Sequence, residues 1–392
     1  MADSATSAPA FWSRYATRVA RCPPPSRSAP FVEWLLRFGE REGPHVLYPT
    51  SDEVVFEMAA HRDELARYFT LYQPDFAVTF DALDKKRLYE TARASGLETP
   101  DTWFPATYGE VEAVAAEVRE PLFIKPRTQS FLRRHPKGAI GPSDPAALRA
   151  AYERFHAQCR YDEPIASDRP DLGRPMLQRF YPDAAKSIYS VTGFRDRTGQ
   201  HVAMLGSVKV LQRPRRVGIG LCFETAPLRP EVRERVALFL DRVGYYGVFE
   251  LEFVQDAGRL LLIDMNPRFY HQLALDVARG LDLPRLAYAA AVGDAAAVQR
   301  LVASAPPGEA SRHVFCNSIG LRMLVGAQRF FGTMSDHEVN EWRAWARDPS
   351  RTVVDSVAAT DDPRPYYAEV AGQIYACVRH PRAFVRMIGF ER

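Results

Sequence analysis

The chain has 392 residues, 46% hydrophobic and 25% charged, with a formal net charge of +3 at pH 7. The length suggests roughly two to three domains, and so small a net charge gives no general electrostatic case for nucleic acid or a membrane surface. Cys22, Cys159, Cys222, Cys316 and Cys377 are far apart, odd in number and outside any CxxC pair, so neither a disulfide framework nor a zinc site is indicated. With no apolar leader and no apolar run of membrane length, a cytoplasmic protein is expected.

Residues 1–30 are rich in Ser, Ala and Pro, with Pro23, Pro24 and Pro25 in a row, and read as an irregular lead-in. An α/β layer is expected over 31–104. It has a helix over 32–41, a strand over 45–48, a helix opened by the Thr50 and Glu53 capping-box pattern and running to about 68, a strand over 76–80, and a helix from near Asp84 to Gly96. A second unit, over 105–180, has a helix over 108–119 and an apolar strand over 122–124 that ends at Lys125. A basic, glycine-poor loop follows with Arg127, Arg133, Arg134 and Lys137, either an anion clamp and lid or a solvated charge run. Ser143, Asp144 and Pro145 then signal a helix to about 160, and a strand over 175–180 closes the unit.

A third unit, over 181–293, opens with strand-like segments over 187–195 and 201–211 and continues with a helix from Pro230 to Gly244. It then reaches the most informative stretch, G-V-F-E-L-E-F-V-Q-D-A-G-R-L-L-L-I-D-M-N-P-R at 247–268. Side chains alternate faces along a strand, so Phe249, Leu251 and Phe253 point one way and Glu250 and Glu252 the other. An odd-length turn centred on Gly258 sets Glu252 opposite Asp264 and Glu250 opposite Asn266. Like charges facing each other across a sheet repel, so either this face is solvated or something positive sits between the acids. Hard oxygen ligands without Cys or His suit Mg²⁺ or Mn²⁺ shared with nucleotide phosphates. Residues 294–392 read as mostly helical, over 315–331 and 366–388 with a linker over 361–365, and are expected to pack as a cap or a homodimer face.

Taken in order, Asp84-Lys85, L-F-I-K-P at 122–126, M-L-Q-R-F-Y-P at 176–182, Lys209, and E-L-E-F through D-M-N-P-R resemble the ATP-grasp superfamily. The continuation H-Q-L-A-L-D-V-A-R-G-L-D-L-P resembles its carbamoyl-phosphate-synthetase-like and D-aspartate-ligase-like branch of carboxylate–amine ligases. The resemblance spans roughly residues 46–293. It implies an α/β fold with α+β subdomains: an amino-terminal Rossmann-like pre-ATP-grasp layer, the ATP-grasp small and large subdomains, and a helical carboxy-terminal tail. It also implies an ATP-dependent ligase, with Mg²⁺ (or Mn²⁺), that activates a small carboxylate as an acyl phosphate and joins it to an amine of an amino acid or peptide. A phosphotransferase or carboxylase, or a catalytically silent nucleotide-binding protein, is the alternative.

The same resemblance implies roles for single residues. Glu252, Asp264 and Asn266 become metal ligands, with Glu250 a substitute or supporting neighbour, and Arg268 reaches the terminal phosphate or acyl phosphate. Lys85, Lys125 and Lys209 become cations on the phosphates, and Gln178, Arg179 and Phe180 the hinge against the adenine edge. Where relatives commonly place a ribose-binding carboxylate, this chain has Ala185 and Lys186, with only Asp183 near. Arg213, Arg215 and Arg216 either receive a substrate carboxylate, which suits arginine's fork, or form a solvated basic loop. His271 either lines the acceptor pocket or caps a helix. The G-I-G at 218–220 lacks the third glycine of a dinucleotide fingerprint, and no Walker motif occurs.

Overall fold

Two antiparallel sheets of unequal size organise the chain in the computed structural model, which describes residues 1–5, 8–130, 132, 138–161, 169–182, 188–215 and 218–381. The smaller sheet has four strands in the order Thr102–Trp103, Met176–Arg179, Leu122–Lys125, Ala139–Ile140. The larger has seven, in the order Arg259–Asn266, Gly247–Asp256, Ile188–Arg195, Val202–Arg213, Ile219–Ala226, His313–Cys316, Thr352–Asp355, and only its last pair is parallel. The strand Ile219–Ala226 takes up Gly220 of the G-I-G at 218–220.

The apolar row of the acidic hairpin explains how the large sheet is covered. Phe249, Leu251 and Phe253 are fully buried and share a core with Val236, Phe239 and Leu240 of helix Pro230–Val243 and with Leu88 and Tyr89 of helix Lys85–Ala94. Burial of each such side chain is worth about 1.5–3 kcal/mol. On the other face Val248 packs with Leu283 and Leu286 of helix Leu283–Ala291, and Glu250 and Glu252 continue that row along the strand.

The hairpin has the expected pairing, Glu252 with Asp264 and Glu250 with Asn266, but reaches it by another route. The turn has two residues, Ala257 at φ 47° and Gly258 at φ 81°, with Asp256 paired to Arg259. Positive φ at both central positions is the mark of a type I′ turn. A bulge restores the offset: Phe253 pairs with Leu262 and Glu252 with Asp264, leaving Ile263 over. The carbonyl of Ile263 accepts the Tyr89 hydroxyl at 3.0 Å. Without the bulge Asp264 would turn to the opposite face from Glu252.

The amino-terminal layer keeps two parallel strands, His45–Leu47 and Phe69–Leu71, beside helices Ser28–Glu42 and Asp52–Ala60. The cap of the second helix is Ser51, whose side chain accepts the Val54 N–H at 3.3 Å, rather than Thr50. That helix stops at Ala60, and Arg62–Leu65 is a separate turn of helix. Residues 76–80 are not a strand. Asp75 accepts the Val78 N–H at 3.1 Å and starts helix Phe76–Leu83, in which Phe76 and Phe80, one turn apart, stack at 5.7 Å. A short apolar run has no periodicity that separates the two readings, and the cap decides it.

The two chain ends also differ from the reading above. In the lead-in, Ala2–Asp3 pairs in parallel with Ala20–Arg21. The buried Asp362 accepts the Ser13 hydroxyl at 2.5 Å and the Arg14 N–H at 3.2 Å, and the Tyr15 hydroxyl donates to Asp361 at 2.5 Å. The carboxy-terminal region, besides helices such as Ser318–Phe330 and Arg364–Arg379, gives the large sheet its last two strands.

Asp84 joins the amino-terminal layer to the small sheet. Its carboxylate accepts the Lys86 N–H at 3.1 Å and takes Arg127 on both oxygens, at 2.9 and 2.5 Å, with Asp84 1% and Arg127 5% exposed. Without Asp84, Arg127 keeps, among the described residues, only its partly exposed partner Asp171. Asp84→Ala is therefore expected to lower unfolding free energy by about 1.5–3 kcal/mol, the loss of buried charge-assisted hydrogen bonds, in denaturant titration. Arg149→Ala, which breaks exposed pairs with Glu112 and Glu153, should leave the denaturation midpoint nearly unchanged; similar losses for the two variants would contradict this assignment.

Candidate active site

The two sheets enclose a cavity of about 610 Å³, within the range of small-molecule sites. The small-sheet unit contributes Phe123, Lys125, Ile140, Gln178, Arg179 and Phe180, and the helix after Asp84 contributes Lys85. The large sheet contributes Ile188, Lys209, Phe223, Glu250, Glu252, Val254, Asp264 and Asn266, and Arg268 and His271 follow the hairpin. Lys85, Lys125, Gln178, Lys209 and the acids of the hairpin, distant in sequence and drawn from separate motifs, thus share one space.

Inside it the charges are already paired. Lys85 Nζ lies 2.7 Å from Asp264 Oδ1, and Lys209 Nζ lies 2.9 Å from Glu252 Oε1. These lysines answer the repulsion between the two facing acids. Burial works against the charge on Lys209, but Glu252, Glu250 and Asp264 together hold its pKa above the ordinary lysine value. Among the described residues Lys125 has no such partner. Its Nζ is 3.4 Å from the amide oxygen of Gln178 and 5.4 Å from the Phe123 ring centroid. Burial first, and then the charge of Lys85, bring its pKa down to about 8.

Glu250 is 3% exposed and held by neutral donors. Asn266 Nδ2 donates to Oε2 at 2.8 Å and the Gln272 amide donates to Oε1. Burial, and next the neighbouring Glu252, push its pKa up to about 7. Arg268 donates through Nε to Asp52 Oδ1 at 2.6 Å and through its terminal nitrogens to the Phe269 carbonyl and Asn266 Oδ1, both at 3.0 Å.

Gln178 is fixed by Tyr89 Oη and Thr102 Oγ1, each at 3.1 Å from its Nε2. The backbone N–H groups of Arg179 and Phe180 donate to the Asp101 and Pro121 carbonyls at 2.9 and 3.0 Å. Beside Gln178, Arg179, Tyr181 and Pro182, this segment brings the Phe180 ring to the cavity, which with Phe123, Ile140, Ile188 and Val254 makes an apolar lining.

The substrate arginines separate. Arg215 pairs with Glu338 at 3.1 Å, and neither it nor Arg213 lines the cavity. Arg216 and Asp183 lie outside the described residues, as do Arg133, Arg134 and Lys137 of the basic loop. Arg127 is taken up by Asp84 and Asp171, which leaves it no part as an anion clamp. His271 does line the cavity, edge-on to Phe315 at 5.3 Å, with its pKa lowered by burial and by Lys209 and Arg213. Sequence reasoning missed Asp52, Gln272, Tyr89 and Thr102. All four act through side-chain contacts between separate segments, which carry no local motif.

Among the described residues no three His, Cys, Asp or Glu side chains are grouped to cage a metal ion. Glu252 and Asp264 with the Asn266 amide form a hard-oxygen donor set of a different kind, suited to Mg²⁺, which binds through one or two carboxylates and completes its shell with water and phosphate oxygens.

No family model matches the chain, and no curated protein matches it. Solved structures do. It is similar to the biotin carboxylase domain dimer of the Hydrogenobacter thermophilus 2-oxoglutarate carboxylase, in complex with MgADP, ADP and bicarbonate, at 20% identity over 72% of this chain and 62% of that one, with a TM-score of 0.58. A biotin carboxylase β,γ-ATP complex from Campylobacter jejuni has 15% identity, 75% and 62% coverage and a TM-score of 0.51. An L-amino acid ligase from Bacillus licheniformis has 15% identity, 70% and 63% coverage and a TM-score of 0.50. The chain thus spans somewhat over three fifths of the length of each, and at such identities the likeness is one of architecture: the chain has the ATP-grasp fold.

Proposed function

We propose that the chain is an ATP-dependent carboxylate–amine ligase. The observation that carries this reading is the convergence of Lys85, Lys125, Lys209 and Arg268 with Glu252, Asp264 and Asn266 on one cavity between two sheets. Four cations from separate segments suit a polyphosphate, and phosphoryl transfer needs charge neutralisation and alignment more than a protein nucleophile. The complexes of neighbouring folds with ADP and with MgADP support a nucleotide in this space.

ATP is placed with its base against Phe180, Ile140 and Ile188 and its phosphates among the lysines. Glu252, Asp264 and Asn266 would hold Mg²⁺, which when bound supplies further positive charge to the phosphate oxygens. Lys85 and Lys209, which neutralise the acids in the free protein, then turn to the phosphates. A substrate carboxylate oxygen attacks the γ-phosphorus, the bond to the ADP oxygen breaks, and an acyl phosphate forms. Arg268 steadies the oxygens that gain charge. The lone pair of an amine attacks the carbonyl carbon, the bond to phosphate breaks, and the amine proton leaves to solvent. The neutral His271 and the apolar ring of Phe223 line the same cavity and would face this acceptor.

The reaction is tested by ADP release against a panel of carboxylic acids and amines. Release is expected only when an acid and an amine are both present, and Glu252→Gln or Asp264→Asn should lower it by roughly 100-fold or more. Release with bicarbonate and no amine would place the activity with the carboxylases instead.

Lys125 gives a pH test. A lysine whose pKa is drawn down to about 8 carries its charge below that value and loses it above. ATP affinity should therefore weaken as pH rises through about 8, with proton uptake on binding near the midpoint, seen by calorimetry in buffers of different ionisation enthalpy. In Lys125→Met binding should be weaker and the fall centred near about pH 8 lost, while any step near about 7 from the Glu250 carboxyl stays. A wild-type affinity unchanged to about pH 9 would exclude the role.

A further inference from the structure

The geometry points to Asp52 as the residue that aims Arg268, so that the amino-terminal layer supplies a positioning group to the active site; the inference rests on the ligase reading above. An arginine has five N–H donors. In Arg268, Nε–H is taken by Asp52, one hydrogen of one terminal nitrogen by the Phe269 carbonyl, and one of the other by Asn266 Oδ1. Among the described residues nothing takes the other two N–H groups, one on each terminal nitrogen, and the residue lines the cavity. They can donate to oxygens of an incoming phosphate or carboxylate.

Asp52 is the only carboxylate in ion-pair contact with Arg268 among the described residues, at 2.6 Å, with the two side chains only 18% and 27% exposed. The other two hydrogen-bond partners are neutral, and of the carboxylates that attract the guanidinium, Asp52, Glu250 and Asp264, Asp52 acts most strongly and is the one in contact among the described residues. A charge-assisted bond shielded from water is short and strong. The carboxylate is available because Ser51, one residue earlier, caps the helix. The segment is also anchored where it meets the arginine. Phe269 N–H donates to the Pro49 carbonyl at 3.2 Å, the Tyr48 and Phe269 rings meet edge to face at 5.1 Å, and the Tyr48 hydroxyl donates to the Pro284 carbonyl at 3.0 Å. Helix Asp52–Ala60 therefore cannot shift without carrying the arginine's aim with it.

Two measurements test this. In ¹H–¹⁵N spectra of arginine side chains, the Arg268 Nε–H signal, assigned by its loss in Arg268→Lys, should shift and exchange faster with solvent in Asp52→Ala. In turnover assays Asp52→Ala should lower kcat roughly 100-fold, the cost of a misplaced catalytic group, while KM for ATP stays within about twofold. Asp52→Asn, which keeps an acceptor of the same shape, should recover part of the loss and guards against a misfolded alanine variant. In an Arg268→Lys background Asp52→Ala should add little, because the two act as one unit. An unmoved Nε–H signal, or fully additive losses in the double variant, overturns the inference. If the wild-type chain releases no ADP with any acid and amine pair, the ligase reading fails, and the spectra alone decide whether Asp52 holds the arginine.

Discussion

Two carboxylates fixed opposite each other on neighbouring strands set the terms for the rest of the molecule. Backbone pairing places Glu252 against Asp264, and neither can retreat without breaking the ladder. The compensation comes from outside the hairpin: Lys209 from a strand two places along the sheet, and Lys85 from the first turn of a helix in another part of the chain. For Lys85 to arrive, helix Lys85–Ala94 must dock on the hairpin, which it does by burying Leu88 and Tyr89 against the row of Phe249, Leu251 and Phe253. Tyr89 also holds the carbonyl of the bulged Ile263. The same helix thus stabilises the irregularity that keeps the acids face to face and delivers one of the charges that makes their facing tolerable.

How far this was legible in the sequence follows from the range of the interactions. The alternation of Glu250 and Glu252 with Phe249, Leu251 and Phe253 is a property of neighbouring residues, and it gave the facing acids correctly. It gave them through a wrong turn, because a bulge is decided by what packs against the strand. Residues 76–80 show the opposite case: a run of apolar residues reads as a strand where one capping carboxylate at Asp75 makes a helix. Strands His313–Cys316 and Thr352–Asp355 were invisible because each is short and becomes a strand only beside the sheet it extends. Asp52 lies 216 residues from the arginine it holds, beyond any motif window.

The chain ends make the same point. A Ser, Ala and Pro-rich lead-in and an Asp-Asp-Pro stretch look like connectors when read apart. Together they form a polar clasp in which Asp362 gathers the Ser13 hydroxyl and the Arg14 backbone, and the burial of Asp362 makes it more than a surface contact. Residues that look idle in the sequence can be halves of one interaction.

The paired state of the cavity has a kinetic consequence. With Lys85 on Asp264, Lys209 on Glu252 and Arg268 on Asp52, most of the positive charge is cancelled within a few ångströms, and little of it projects into solvent beyond a Debye length. Such a pocket steers a polyanion from afar only weakly. Under the proposed function, capture rests on short-range exchange, in which Lys85 and Lys209 each trade a carboxylate for a phosphate, and an arriving nucleotide meets a surface that is nearly neutral at a distance and becomes attractive only once it is inside.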